Sequence, residues 1–210
     1  SEFSLGNFRI DSLCYDEENK SFVIIEYKKG KSYSVIDQGY SYLSLMLNNK
    51  SDFILEYNEN KKNSLKRGDV DWSSSKVIFI SPSFNTYQKN SVNFQDVPFE
   101  LWEIKKYSNN MISLNQHQSS SKESIQNLEG KKNSVIKDVG TEIKVFSEGD
   151  HLKNTEKNIN ELYFTFKERV LESLEVNFRP KKKHIGIWDN HKNMFSYVVI
   201  RKSFILVNIL

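Results

Sequence analysis

The chain has 210 residues, with 30 Lys and Arg against 27 Asp and Glu, and the resulting formal charge of +3 is too small to point to nucleic acid by itself. A single cysteine, Cys14, excludes an internal disulfide; no apolar run approaches the roughly 18–20 residues of a membrane span, and the opening Ser-Glu-Phe-Ser-Leu-Gly lacks the basic start and apolar core of a signal peptide. With 14 Phe and 10 Tyr to fill cores, the expectation is a soluble, cytoplasmic protein of two small domains joined by polar sequence.

Residues 7–15 alternate loosely and pass through Asp16-Glu17-Glu18-Asn19-Lys20 into residues 22–28, Phe-Val-Ile-Ile-Glu-Tyr-Lys, which predicts a β-hairpin. Val23, Ile24 and Ile25 in succession suggest a strand covered on both faces, rigid enough to position its end. On that strand Glu26 and Lys28 emerge on one side and Tyr27 on the other, and Asp11 on the neighbouring strand can bring a second carboxylate to the same sheet end. The Glu-x-Lys spacing alone is weak, because it recurs at Glu103-Ile104-Lys105 and Glu142-Ile143-Lys144.

A basic loop, Lys28-Lys29-Gly30-Lys31, leads into an amphipathic helix over 34–47, on which Gln38 and Tyr42 lie one turn apart on one face. Residues 52–57 read as a short strand and 58–71 as a polar excursion; 76–81 is a buried strand stopped by Pro82, and 84–94 a helix. Residues 99–106 alternate as a strand, with Glu103 and Lys105 on the exposed face of a sheet edge.

Residues 115–133 are almost free of large apolar side chains and mark a mobile, protease-sensitive linker, so the expected domains are 1–114 and 141–210, with the linker over 115–140. In the second domain 141–146 has strand character, 147–151 is a loop, 159–176 a helix, and 183–188, 195–200 and 204–210 strands, the last suggesting a chain cut short within the domain. Glu148, Asp150 and His151 read as a polar helix entry or a metal site, and Arg179, Lys181, Lys182, Lys183 and His184 as a solvated basic turn or a phosphate contact.

Asp11, Glu26-x-Lys28 and Gln38-x-x-x-Tyr42, in that order over about residues 8–107, resemble the PD-(D/E)xK nuclease superfamily, and the Gln and Tyr resemble its RecB-like branch. The resemblance implies an α/β fold (α+β mixed sheet) with a restriction-endonuclease-like core, whose first helix is missing here, and a second, smaller α+β domain. It implies an endonuclease-type phosphodiesterase acting on DNA, with Mg²⁺ or Mn²⁺ held by Asp11, Glu26 and the main-chain carbonyl of Tyr27. Lys28 then orients the attacking water; Gln38, Tyr42, Lys29 and Lys31 support the site and the nucleic-acid backbone, and Glu2 is a candidate for the acid that the absent helix often donates. Residues from about 142 onward resemble a small domain that accompanies such modules in uncharacterised bacterial proteins, some labelled predicted transport proteins. The alternatives are a nucleic-acid-binding module that keeps the fold without cleaving and a protein-interaction adaptor; a homo-oligomer is left open.

Overall fold

The computed structural model describes residues 2–29, 34–62, 64–94, 96–118, 121, 134–189 and 194–210, and divides into two compact units, Ser1–Val145 and Phe146–Leu210. Most of the expected linker, 115–133, thus lies outside the described residues, as does Lys31.

The first unit opens with two short paired strands, β1 (Phe3–Leu5) and β2 (Phe8–Ile10). A five-stranded mixed sheet follows, built from β3 (Ser12–Asp16), β4 (Ser21–Tyr27), β5 (Lys76–Ser81), β6 (Phe99–Lys106) and β7 (Ile112–Gln116), in that spatial order. The outer pairs are antiparallel and the two inner ones parallel. The β3–β4 turn is fixed by the Asp16 carboxylate, whose Oδ1 accepts from the amides of Glu18 and Asn19 at 3.0 Å each. Phe22, Val23 and Ile24 are all buried, as their unbroken apolar run demands of a strand with neighbours on both sides.

Between the parallel strands β4 and β5 run helices α1 (Val35–Asn48) and α2 (Lys50–Lys61). Helix α1 starts at Ser34, whose hydroxyl accepts from the Asp37 amide, and Asp37 places its charge against the positive end of the helix dipole. Val35, Gly39, Tyr40, Tyr42, Leu43 and Met46 form its buried stripe, the spacing that the sequence shows. Burying one such aliphatic or aromatic side chain stabilises by about 1.5–3 kcal/mol, so this face fixes where the helix lies on the sheet. Gly39 allows the close approach: a Cβ there would sit 2.6 Å from the Phe99 ring of β6.

Four expectations are corrected in this unit. Residues 52–57 are helical, not a strand, because Phe53 and Tyr57, one turn apart, both pack on the core while Leu55 is exposed. The helix expected over 84–94 shortens to α3 (Thr86–Ser91), which begins at an Asn85–Gln88 capping box. Strand β6 is not an edge, since β7 pairs with it and opposes Asn115 to Glu103; the polar, mostly exposed β7 carries almost no apolar alternation to read. Last, helix α4 (Ser134–Glu142) takes up the end of the expected linker and the start of the expected 141–146 strand. Ile136, Val139 and Ile143, at helical spacing, bury in the first core, so the first unit runs to Val145.

The second unit has a short helix α5 (Glu148–Leu152), a long helix α6 (Lys157–Ser173) and four antiparallel strands: β8 (Asn177–Pro180), β9 (Ile185–Trp188), β10 (Met194–Ile200) and β11 (Ile205–Ile209). Its core is Ile159 and Tyr163 of α6 against Ile185, Ile187, Val198 and Ile200. The loop expected at 147–151 is instead α5, because Ser147 and Asp150 close a capping box there. Among the described residues no helix is long and apolar enough to cross a membrane.

Candidate active site

The carboxyl end of β4 holds the residues singled out in the sequence. Asp11 lies in the step between β2 and β3, and its Oδ2 accepts from the Tyr27 amide at 2.9 Å, continuing the β3–β4 ladder with a side chain. The next pin is on the other side of the strand, where the Lys28 amide donates to the Ile80 carbonyl of β5 at 2.8 Å. In an extended chain a residue's N–H and C=O leave on the same edge, so the Tyr27 carbonyl shares the edge that carries Asp11.

Glu26 points to the α1 side and is 8% exposed. Its Oε1 accepts from Gln38 Nε2 at 2.8 Å and lies 3.6 Å from Lys28 Nζ, and its Oε2 is 3.1 Å from the Tyr42 hydroxyl. The Gln38 amide is used at both ends: Oε1 accepts from Lys28 Nζ, while the NH₂ donates to Glu26 and, at 2.9 Å, to the Tyr42 oxygen. That set of partners allows only one amide orientation, carbonyl toward the ammonium and NH₂ toward the carboxylate. The one Tyr42 proton is shared between Glu26 and the Arg9 carbonyl, also 3.1 Å away, which ties the helix to β2.

The Glu26 and Lys28 side chains are each 11% exposed, so the ion pair is largely out of water. Charges in such a place are tolerated only when paired and hydrogen-bonded, which Gln38 and Tyr42 achieve. Burial pushes the Tyr42 phenol up to about 12, with the Glu26 and Asp11 carboxylates adding to the effect against the opposing Gln38 hydrogen bond. Lys28 Nζ also lies 5.9 Å from the centre of the Phe79 ring, which the parallel register places beside Glu26.

Glu26, Lys28, Gln38 and Tyr42 therefore lie in one bonded group, and Asp11 is anchored beside it on the Tyr27 amide. The Tyr27 side chain is exposed, and so is Lys29, one residue beyond Lys28. Glu2 instead pairs with Arg9 at 2.6 Å, in an exposed position. Sequence reasoning missed the Arg9 carbonyl and Phe79: a carbonyl has no residue signature, and Phe79 depends on the β4–β5 register.

The two Glu-x-Lys decoys are occupied elsewhere. Glu103 pairs with Lys89 at 2.9 Å and accepts from the Phe84 amide, contacts that hold its carboxyl below the usual range; Glu142 pairs with Lys50. The three candidates of the second unit have structural partners as well. Asp150 caps α5, its carboxyl held low by the Ser147 hydrogen bonds; Glu148 pairs with Lys167 at 2.6 Å, and His151 Nε2 meets the Lys181 carbonyl at 2.7 Å. Asp150 thus serves the helix entry, while Glu148 and His151 tie α5 to α6 and to the Lys181 carbonyl.

Among the described residues no group of three or more His, Cys, Asp and Glu is placed to hold a metal ion. Asp11 and Glu26 supply two carboxylates and Tyr27 a carbonyl, all hard oxygens, a donor set that fits Mg²⁺, which keeps several of its waters. A separate cleft of about 470 Å³ between β3 and α2, lined by Cys14, Glu17, Glu56 and Lys61 among others, contains none of these groups.

A protein of Haemophilus influenzae described only as uncharacterized is 50% identical over 186 residues, covering 85% of this chain. The chain spans 60% of that relative's length. No family model matches the chain, and no solved structure matches it.

Proposed function

We propose that the first unit is a metal-dependent phosphodiesterase of the endonuclease type, acting on DNA, with a restriction-endonuclease-like core. The observation that carries the reading is the bonded group of Glu26, Lys28, Gln38 and Tyr42 at a strand end, with Asp11 anchored one residue away on the Tyr27 amide. An antiparallel strand pair, a helix and a returning parallel strand also follow the order that the PD-(D/E)xK resemblance implies.

Asp11, Glu26 and the Tyr27 carbonyl are the groups that hold Mg²⁺. When bound, the ion supplies positive charge at the scissile phosphate and lowers the pKa of water. The protein's own part is positioning. Gln38 and Tyr42 keep the Glu26 carboxylate from rotating, and Gln38 aims the Lys28 ammonium, whose positive charge can orient the attacking water in line with phosphorus and meet the developing negative charge. Exposed Lys29 lies where a phosphate backbone approaches.

The second reading is a nucleic-acid-binding module that does not cleave. It is favoured by the absence of a third carboxylate or His ligand among the described residues and by the hydrogen bonds already made to both Glu26 oxygens. Incubation with plasmid, single-stranded DNA and RNA, with and without Mg²⁺ or Mn²⁺, separates the two. Metal-dependent strand scission of DNA is expected; binding without scission in either metal would leave the second reading.

A further inference from the structure

The four-stranded sheet of the second unit has two unlike faces. Ile185, Ile187, Val198 and Ile200 point to the side on which Ile159 and Tyr163 of α6 lie, and Leu152 of α5 and Phe166 of α6 pack on the same core. Both helices of the unit are therefore on that side. The residues between them on the strands face the other way. Cross-strand register makes Arg179, Gly186, Tyr197 and Asn208 one row across all four strands of that second face, with Trp188 and Met194 in the row beside it.

This face is built from rings and cations. The Trp188 indole lies on the backbone of Gly186, where a Cβ would meet Nε1 at 2.6 Å, so only glycine leaves room for the ring. The Arg179 guanidinium sits 5.0 Å from the Trp188 ring centroid, and Lys181 Nζ sits 6.0 Å from it. Next to them the His184 ring packs on Tyr197 at 4.9 Å. Arg179, Lys181, Lys182 and Lys183 put four cations within five residues with no acid among them. The turn that carries them is braced by the Lys181 amide on the His184 carbonyl and by His151 on the Lys181 carbonyl. A guanidinium held against an indole loses little freedom when it meets a ligand, and a guanidinium suits a base or a phosphate.

We propose that this sheet face binds single-stranded DNA, its phosphates on the Arg179–Lys183 turn and its bases against the Trp188, Tyr197 and Arg179 planes. An open antiparallel sheet face with rings beside cations reads unpaired bases, which a duplex keeps stacked away. The choice of DNA over RNA rests on the substrate proposed for the first unit; the site itself needs none of that unit's chemistry.

The test is fluorescence anisotropy of a labelled single-stranded oligonucleotide with the full chain, in EDTA, so that cleavage plays no part. Wild type and Lys105→Ala, a change at an exposed residue of the first unit outside its proposed catalytic group, are expected to bind equally, and the EDTA keeps the catalytic reading out of the measurement. The triple change Arg179→Gln, Lys181→Gln, Lys183→Gln should weaken binding at least tenfold and lower the slope of log K against log salt by about 2, on about 0.7 per lost phosphate contact. The triple change Lys153→Gln, Lys157→Gln, Lys202→Gln removes equal charge from the same unit away from this face and should shift affinity less than threefold. Trp188→Ala, with folding checked by circular dichroism, should also weaken binding. No binding by wild type, equal losses in the two triples, unchanged affinity in Trp188→Ala, or tighter binding of the duplex or of the matching RNA would each overturn the proposal.

Discussion

Tyr42 reports on the site through its own titration. Its phenol is raised to about 12 by burial, against an ordinary value near 10, so the folded chain keeps a proton that the unfolded chain loses between those values. The stability from this difference is fully present below pH 10 and is lost as pH rises through the folded value. Burial, with the Glu148 carboxylate adding to it, raises Tyr163 in the second unit as well, so alkaline unfolding there has the same sign. Tyr42→Phe should cost the first unit about 1–3 kcal/mol at pH 7, because Gln38 and Glu26 each lose a partner, and should flatten its loss of stability between pH 10 and 12. Urea unfolding at several pH values measures both. The five candidate residues could be singled out in the sequence because the proposed chemistry requires particular side chains at short spacings. Their bonding could not be read there: that Gln38 bridges Lys28 and Glu26 follows from where α1 settles, a tertiary fact.

Helix α1 settles there because of Gly39. Gly39→Ala drives a methyl into Phe99, so α1 must shift or Phe99 must move, at about 1–3 kcal/mol. Gln38 flanks that glycine, so divalent-metal affinity should fall together with stability; calorimetric titration with Mn²⁺ checks it, and a loss of stability with metal affinity intact would detach the helix position from the site. The decoy triplet gives the opposite case. Lys105 is exposed on β6, and Lys105→Ala should leave both stability and metal binding within experimental error. Strands β4 and β5 were readable as apolar runs and α1 as a stripe, because each buries a wide face. Helix α2 and strand β7 were not: α2 buries only Phe53 fully, and β7 exposes most of its residues, so neither leaves a clear period in the sequence.

At the scale of the whole molecule, every proposed catalytic group lies in Ser1–Val145, and the second unit has a separate core around Ile159, Tyr163, Ile185 and Val198. A fragment ending at Val145 should therefore keep the metal-dependent activity of the full chain within a few-fold, whereas one ending at residue 114 should lose stability, since it lacks Ile136, Val139 and Ile143 of the first core. Composition drew the boundary at the polar stretch and could not show that α4 packs on the first core, because Ile136, Val139 and Ile143 are too few to leave a clear apolar period. The most direct test of the central claim compares DNA cleavage rates in saturating Mg²⁺ for wild type, Lys28→Gln and Glu26→Gln, alongside metal binding by each. The roles assigned here predict that Lys28→Gln binds metal as wild type does and cleaves slower by a factor on the order of a hundred or more, and that Glu26→Gln loses both. Cleavage by Lys28→Gln at the wild-type rate would contradict the account.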